Sequence, residues 1–134
     1  MAPKQVVFSE KGLKSNLLSQ AIVHNGTIYV SGHIGLDTST MQVVEGSVAD
    51  RTKKALENIQ VVLEEAGSSL QNILKHGGLR RNEHGLCVIP YPIHIPTNSP
   101  ETVLEMIPEP RPARTCVAVK ELPFKTDASL QWSI

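Results

Sequence analysis

Cysteine and net charge are both scarce in this chain. Its 134 residues include two cysteines, Cys87 and Cys116, and its 13 basic and 13 acidic side chains cancel. Two thiols are too few for the disulfide framework of a small secreted protein, so a reducing compartment is the simpler interpretation. A neutral chain has no overall field that attracts nucleic acid or anionic lipid. Aromatic residues make up 4% of the chain, so stacking platforms for single-stranded nucleic acid are not expected.

Long hydrophobic runs are also missing. No apolar stretch approaches the length that crosses a bilayer, so we expect no membrane association. Residues 1–5 have neither the apolar core of a signal peptide nor the Arg- and Ser-rich character of a transit peptide. We therefore expect a cytoplasmic protein, with a mitochondrial location left open. The length favours one domain, residues 1–134.

Residues 20–31 carry the clearest local pattern. Two β-branched runs flank Asn25-Gly26, the dipeptide that best tolerates the positive φ values of a type I′ turn. This pattern predicts a β-hairpin. Val6–Phe8 and Met41–Val44 predict two further short strands.

Residues 47–66 are predicted to form a helix. Ser47 and Asp50 have the spacing of a capping box, and Gly67 suits the position just after a helix ends. One face of this helix is apolar, and its residues are Ala55, Leu56, Ile59, Val62, Leu63 and Ala66. The helix is therefore expected to cover a sheet and to carry no chemistry.

Residues 76–108 have no clear periodicity and look loop-like. They contain Gly77-Gly78 and several prolines, with one stretch that could form a strand, Leu86–Ile89, and one that could form a helical turn, Glu101–Ile107. Four candidate metal ligands fall here: His76, His84, Cys87 and His94. Their spacing matches no zinc template, so we expect neither a metal nor a cofactor.

Arg114 lies at the mouth of a short apolar strand, Cys116–Val119, behind prolines that favour extended backbone. A guanidinium is a planar, permanently charged fork that fits a carboxylate. A structural salt bridge is the competing interpretation for an arginine. Cys116 is a candidate nucleophile in this cationic setting, although an inert core thiol is favoured.

Four motifs occur in order along the chain: Ser19-Gln20-Ala21, residues 29–37, residues 55–67 and residues 112–123. Together they resemble the RidA (YjgF) family of imine/enamine deaminases, also called L-PSP endoribonucleases. The resemblance covers about residues 5–75 and 109–128. It implies a chorismate-mutase-like α+β fold, with a six-stranded, mostly antiparallel sheet and two helices on one face. It also implies a homotrimer whose sites lie between subunits.

The resemblance also implies a site. The arginine that matches Arg114 grips the substrate carboxylate, and backbone groups at the positions of Gly32 and Cys116 line the cleft. The position before Ser-Gln-Ala usually holds a tyrosine that contacts substrate, and Leu18 stands there in this chain. A glutamate that orients the hydrolytic water falls on Ser129, whose hydroxyl can hold a water but is a far weaker base.

The favoured hypothesis is therefore hydrolysis of small 2-imino or enamine acids to 2-oxo acids and ammonia, at a reduced rate. The alternative is a non-catalytic trimer that binds small carboxylate metabolites. Ribonuclease action is implied only by the older family name, and the neutral charge argues against it. Residues 76–108 depart from the family pattern, either through true divergence or through a reading-frame or intron error in the gene model.

Overall fold

The computed structural model of the protein describes residues 2–81, 107, 109, 110, 112–126 and 128–134. The helix is α1 (Val48–Glu65), and the strands are β1 (Gln5–Val7), β2 (Ala21–His24), β3 (Thr27–Ile34), β4 (Leu36–Asp37), β5 (Gln42–Val43), β6 (Lys75–Arg81), β7 (Ala113–Val119) and β8 (Ala128–Ser133). Short 3₁₀ turns at Leu70–Asn72 and Pro123–Lys125 precede β6 and β8.

Six of the strands form one sheet in the order β1-β2-β3-β8-β6-β7, and β4 and β5 form a separate two-stranded ribbon. Every neighbouring pair in the large sheet is antiparallel except β6 and β7. The predicted α+β class with a six-stranded, mostly antiparallel sheet is confirmed. One α-helix lies in the described part of the chain. Most of residues 76–108 lie outside the described residues, so the second helix that the resemblance implies is not tested there, and neither is the strand suggested for Leu86–Ile89.

The predicted hairpin is confirmed as β2 and β3. Asn25 and Gly26 have φ values of 50° and 76°, so both central residues of the turn are left-handed, as a type I′ turn requires. The strands predicted around Val6 and Met41 are also present, as β1 and β5. The hairpin turn and these short strands are determined by residues that are close together in the chain, which is why the local sequence predicts them.

The predicted helix is confirmed, together with its capping box. The Ser47 side chain accepts a hydrogen bond from the Asp50 backbone N–H, and the Asp50 carboxylate accepts one from the Ser47 N–H at 2.7 Å. Gly67 follows the helix with φ +76°. The apolar face is buried against the sheet, with Leu56, Ile59, Val62 and Leu63 all at 0% exposure. Among the described residues, no helix is long and apolar enough to cross a bilayer.

The loop-like interpretation of residues 76–108 is wrong at its beginning. His76–Arg81 belong to β6, which pairs with β8 on one side and β7 on the other. Gly77-Gly78 give no side-chain alternation from which a strand could be predicted. Backbone hydrogen bonds to two neighbouring strands make this segment a strand, and those neighbours lie far away in the sequence.

The face of the sheet opposite α1 exposes apolar side chains. Val7, Ile28 and Val30 point into the core, whereas Val6 and Tyr29, which alternate with them, are 66% and 53% exposed. Val6, Ile22 and Tyr29 lie side by side across β1, β2 and β3. We call this surface the open face.

Candidate functional site

Gly32 and Ser129 form the first part of the candidate site. Ser129 is half-buried on β8, and a Cβ placed on Gly32 of β3 would lie 3.7 Å from the Ser129 Oγ. Gly32 is exposed, so the space beside this hydroxyl is kept open by the missing side chain. We call Gly32 and Ser129 the serine half-site. The two residues come together because β3 and β8 are antiparallel neighbours.

Leu18 lies in the loop between β1 and β2 and is 54% exposed. The next residue, Ser19, accepts a hydrogen bond from the Ser31 hydroxyl through its carbonyl oxygen at 2.6 Å. The Ser31 N–H also donates to the Gln20 carbonyl at 3.0 Å. Because Ser31 precedes Gly32, these two bonds tie the loop that carries Leu18 to the serine half-site.

Gln20 holds the rest of that loop. It is 4% exposed, and its Oε1 accepts from the Ser9 N–H at 2.7 Å. Its Nε2 donates to the carbonyl oxygens of Ser9 and Leu13, both at 3.0 Å. One buried amide therefore satisfies three backbone groups, and it fixes the start of the loop on which Leu18 lies.

Arg114 and Cys116 lie together on β7, which stands at one end of the six-stranded sheet in the part of the chain that the structure describes. We call them the arginine half-site. Arg114 pairs with His76 and Cys116 pairs with Gly78 in the parallel register of β6 and β7. The strand predicted for Cys116–Val119 is confirmed, and it is longer than expected: β7 begins at Ala113, so Arg114 lies within the strand and not before it.

The two half-sites are well separated within one chain. Ser129 is in register with Leu79 of β6, which is in register with Val117 of β7. Arg114 is therefore two strands away from Ser129 and three residues further along, which places the two backbones about 14 Å apart. The chain thus joins Gly32 with Ser129 and Arg114 with Cys116, but it does not gather all four at one point.

His33 lies within the motif of residues 29–37, but the sequence predicts no role for it. It is 4% exposed, and its Nδ1 lies 2.7 Å from the Ser31 carbonyl oxygen. Burial lowers the pKa of His33, and the hydrogen bond to Ser31 partly offsets that effect. The sequence signal that could have revealed this cluster is the Ser31-Gly32-His33 triplet, which interrupts an otherwise apolar β-strand.

The candidate metal ligands are not brought together in the part of the structure that is described. No group of three or more His, Cys, Asp or Glu side chains within it could hold a metal ion. His84, Cys87 and His94 lie outside the described residues, so the metal interpretation weighed from the sequence is not tested.

Comparison with known proteins identifies the family. The family model described as endoribonuclease L-PSP matches residues 13–83. The chain is 36% identical to the mitochondrial protein mmf1 of Schizosaccharomyces pombe, over 94% of this chain and 70% of that protein. The chain belongs to the RidA family.

Two further RidA-family proteins bear on fold and function. A Dermatophagoides farinae protein named 2-iminobutanoate/2-iminopropanoate deaminase is 28% identical over 92% of this chain and 89% of its own length. The crystal structure of RidA from the Antarctic bacterium Psychrobacter sp. PAMC 21119 has a TM-score of 0.81 at 27% identity, covering 97% of this chain and 98% of that one. Family and fold are therefore established, and relatives carry the name of imine deaminases.

Proposed function

We propose that this RidA-family protein hydrolyses small 2-imino and enamine acids to 2-oxo acids and ammonia. The observation that carries the proposal is the serine half-site. There, a half-buried hydroxyl borders a strand position without a side chain, in a chain whose relatives include named imine deaminases. An open space next to a hydroxyl, which can both donate and accept a hydrogen bond, is suited to holding one water molecule.

The chemistry requires little of the protein. The carbon of a protonated imine is already electrophilic, so a water can add to it and form a tetrahedral amino alcohol once a proton is lost to solvent. A proton from solvent then adds to the nitrogen, and ammonia leaves as the hydroxyl oxygen forms the carbonyl. The ammonia takes up the proton that the hydroxyl releases, so the products are a 2-oxo acid and ammonium. The site has to hold the carboxylate and aim the water. Arg114 takes the first role in the proposal and Ser129 the second.

A serine in the water-holding role limits the rate. General acid–base assistance is worth about 10²–10⁴-fold, and a neutral hydroxyl cannot take up the proton as a carboxylate does. The proposed activity is therefore weaker than that of a site with a carboxylate at position 129.

The two half-sites meet, in this proposal, between copies of the chain. One copy supplies Gly32 and Ser129, and a neighbour supplies Arg114 and Cys116 from its strand β7. The open face supports this assembly, because apolar side chains such as Val6 and Tyr29 are half exposed or more in a single copy and are suited to burial against another subunit. We propose a homotrimer with one site at each subunit boundary. Analytical ultracentrifugation at micromolar concentration tests this, and a monomer would refute it.

The activity test couples the protein to an enzyme that releases a 2-imino acid, such as an amino-acid oxidase, in the presence of semicarbazide. A working deaminase lowers the yield of semicarbazone, because it consumes the imine first. Gly32→Ala is the matched variant. Its added methyl lies at ordinary contact distance from the neighbouring atoms, so the protein should fold while the water space is filled. Loss of activity in this variant, with an unchanged thermal midpoint, supports the serine half-site.

A binding protein for small carboxylate metabolites is the second candidate function. Ser129 favours it, since a site can keep its carboxylate anchor and lose its base. In that case semicarbazone yield stays the same with and without the protein, while titration calorimetry still detects binding of a 2-oxo acid such as 2-oxobutanoate.

A further inference from the structure

The strand β3 contains a bulge at the serine half-site. Val30 pairs with Trp132 and His33 pairs with Leu130 on β8. Two residues of β3, Ser31 and Gly32, therefore stand opposite one residue of β8. A bulge disrupts the regular hydrogen-bond ladder and redirects the backbone where it occurs. Gly32 is part of this irregularity, and the place where its side chain would be faces the Ser129 hydroxyl.

The imidazole of His33 is hydrogen-bonded to the backbone of the bulge. Its Nδ1 lies 2.7 Å from the carbonyl oxygen of Ser31, two residues earlier. A carbonyl oxygen can only accept, so Nδ1 must carry the hydrogen. Because burial lowers the pKa of His33, the ring is neutral near pH 7 and its Nε2 is unprotonated. The ring therefore has a single defined tautomer.

Ser31 is held at three points as a result. Its carbonyl accepts from His33, its N–H donates to the Gln20 carbonyl at 3.0 Å, and its hydroxyl donates to the Ser19 carbonyl at 2.6 Å. Gly32 comes next and has no side chain through which it could be anchored. The orientation of its peptide groups is therefore set by Ser31 before it and by His33 after it.

We propose that His33 is a positioning residue for imine hydrolysis. Its imidazole locks the β3 bulge and thereby sets the position of the Gly32 backbone relative to the Ser129 hydroxyl. The inference rests on the proposed function, because positioning matters for catalysis only if the serine half-site holds the attacking water. A displacement of about 1 Å at a reacting group can cost roughly a hundredfold in rate.

The kinetic test uses a pair of variants. His33→Leu keeps an apolar volume and removes the donor, and His33→Asn restores an N–H near the position of Nδ1. We expect kcat to fall roughly ten- to a hundredfold in His33→Leu, with KM within about twofold because the carboxylate anchor is remote. His33→Asn should recover most of kcat. Gln60→Leu is the control, since Gln60 makes an exposed hydrogen bond on the surface of α1, away from the serine half-site and the open face, and its kcat should not change.

A spectroscopic test needs neither activity nor a variant. Nitrogen-15 NMR of the imidazole in the wild-type protein should show the Nδ1–H tautomer, and a ring in the Nε2–H tautomer overturns the proposal. The amide resonances of Ser31 and Gly32 should shift in His33→Leu and return toward wild type in His33→Asn. If kcat and both amide shifts are unchanged in a folded His33→Leu, the proposal is wrong. If the wild-type protein has no deaminase activity but the tautomer and amide shifts are as expected, the proposed function fails and the bulge lock stands.

Discussion

Replacing Gln20 should release the loop that leads to Leu18. The Gln20 amide is 4% exposed and makes three hydrogen bonds to backbone groups of Ser9 and Leu13. Each buried hydrogen bond contributes about 0.5–1.5 kcal/mol net. Gln20→Leu removes all three and leaves the backbone groups without these partners, so we expect a loss of about 1.5–4.5 kcal/mol in the free energy of unfolding.

The assay is urea unfolding followed by circular dichroism, at equal protein concentration for all variants. Gln60→Leu is the matched control, because Gln60 makes an exposed hydrogen bond to Glu64 on the surface of α1. That control should change the unfolding free energy by less than about 0.5 kcal/mol. Gln20→Glu keeps the acceptor for the Ser9 N–H but loses the donors to two carbonyl oxygens, so it should also be destabilised.

The outcome that refutes this reasoning is a Gln20→Leu protein as stable as the Gln60→Leu control, with unchanged amide exchange at residues 9–13. The three short contacts would then contribute nothing net to the folded state. A loss confined to the loop would appear differently, as faster amide exchange at residues 9–13 with an unchanged global unfolding free energy. That result would mean that the hydrogen bonds stabilise the loop locally but do not contribute to the global free energy of unfolding.

Three further predictions concern the site. Arg114→Ala should weaken binding of a 2-oxo acid at least about tenfold, because a charge-assisted carboxylate contact is worth about 1.5–3 kcal/mol; unchanged affinity by titration calorimetry would reject Arg114 as the anchor. Ser129→Glu should raise the rate of imine hydrolysis in the semicarbazide assay, and an unchanged rate would show that the water is held elsewhere. Stability should fall as the pH drops below 6.5, because the pKa of His33 is lowered from that value by burial and the unfolded chain then binds more protons; urea unfolding of His33→Asn should show a smaller decrease over the same pH range.

The sequence predicts those parts of the fold that depend on neighbouring residues. Asn25-Gly26 predicts the β2–β3 hairpin because its two left-handed φ values are properties of the dipeptide itself. Ser47 and Asp50 predict the start of α1 for the same reason. Strand β6 was missed because Gly77-Gly78 carry no pattern, and because the pairing that makes them a strand comes from β7 and β8, more than 30 residues further along the chain.

The candidate site divides in a similar way. The local sequence singled out Arg114 and Cys116, and the resemblance to RidA proteins added Gly32, Leu18 and Ser129, all as separate positions. The adjacency of Gly32 and Ser129 comes from the register of β3 against β8. The proposed role of His33 depends on a bulge. A bulge is defined by how two strands pair, so the sequence of either strand alone does not predict it.

The distance between the two half-sites has a genetic consequence. When every site takes one half from each of two copies, a chain with a damaged arginine half-site can still lend an intact serine half-site to its neighbour. Arg114→Ala and Gly32→Ala chains, each impaired alone, should therefore recover part of the wild-type activity when they are unfolded together and reassembled. When the two chains mix randomly in equal amounts, about a quarter of the subunit boundaries contain both an intact serine half-site and an intact arginine half-site. By the same arithmetic, an excess of either variant chain lowers the activity of the wild-type subunits with which it assembles, because fewer boundaries contain two intact half-sites.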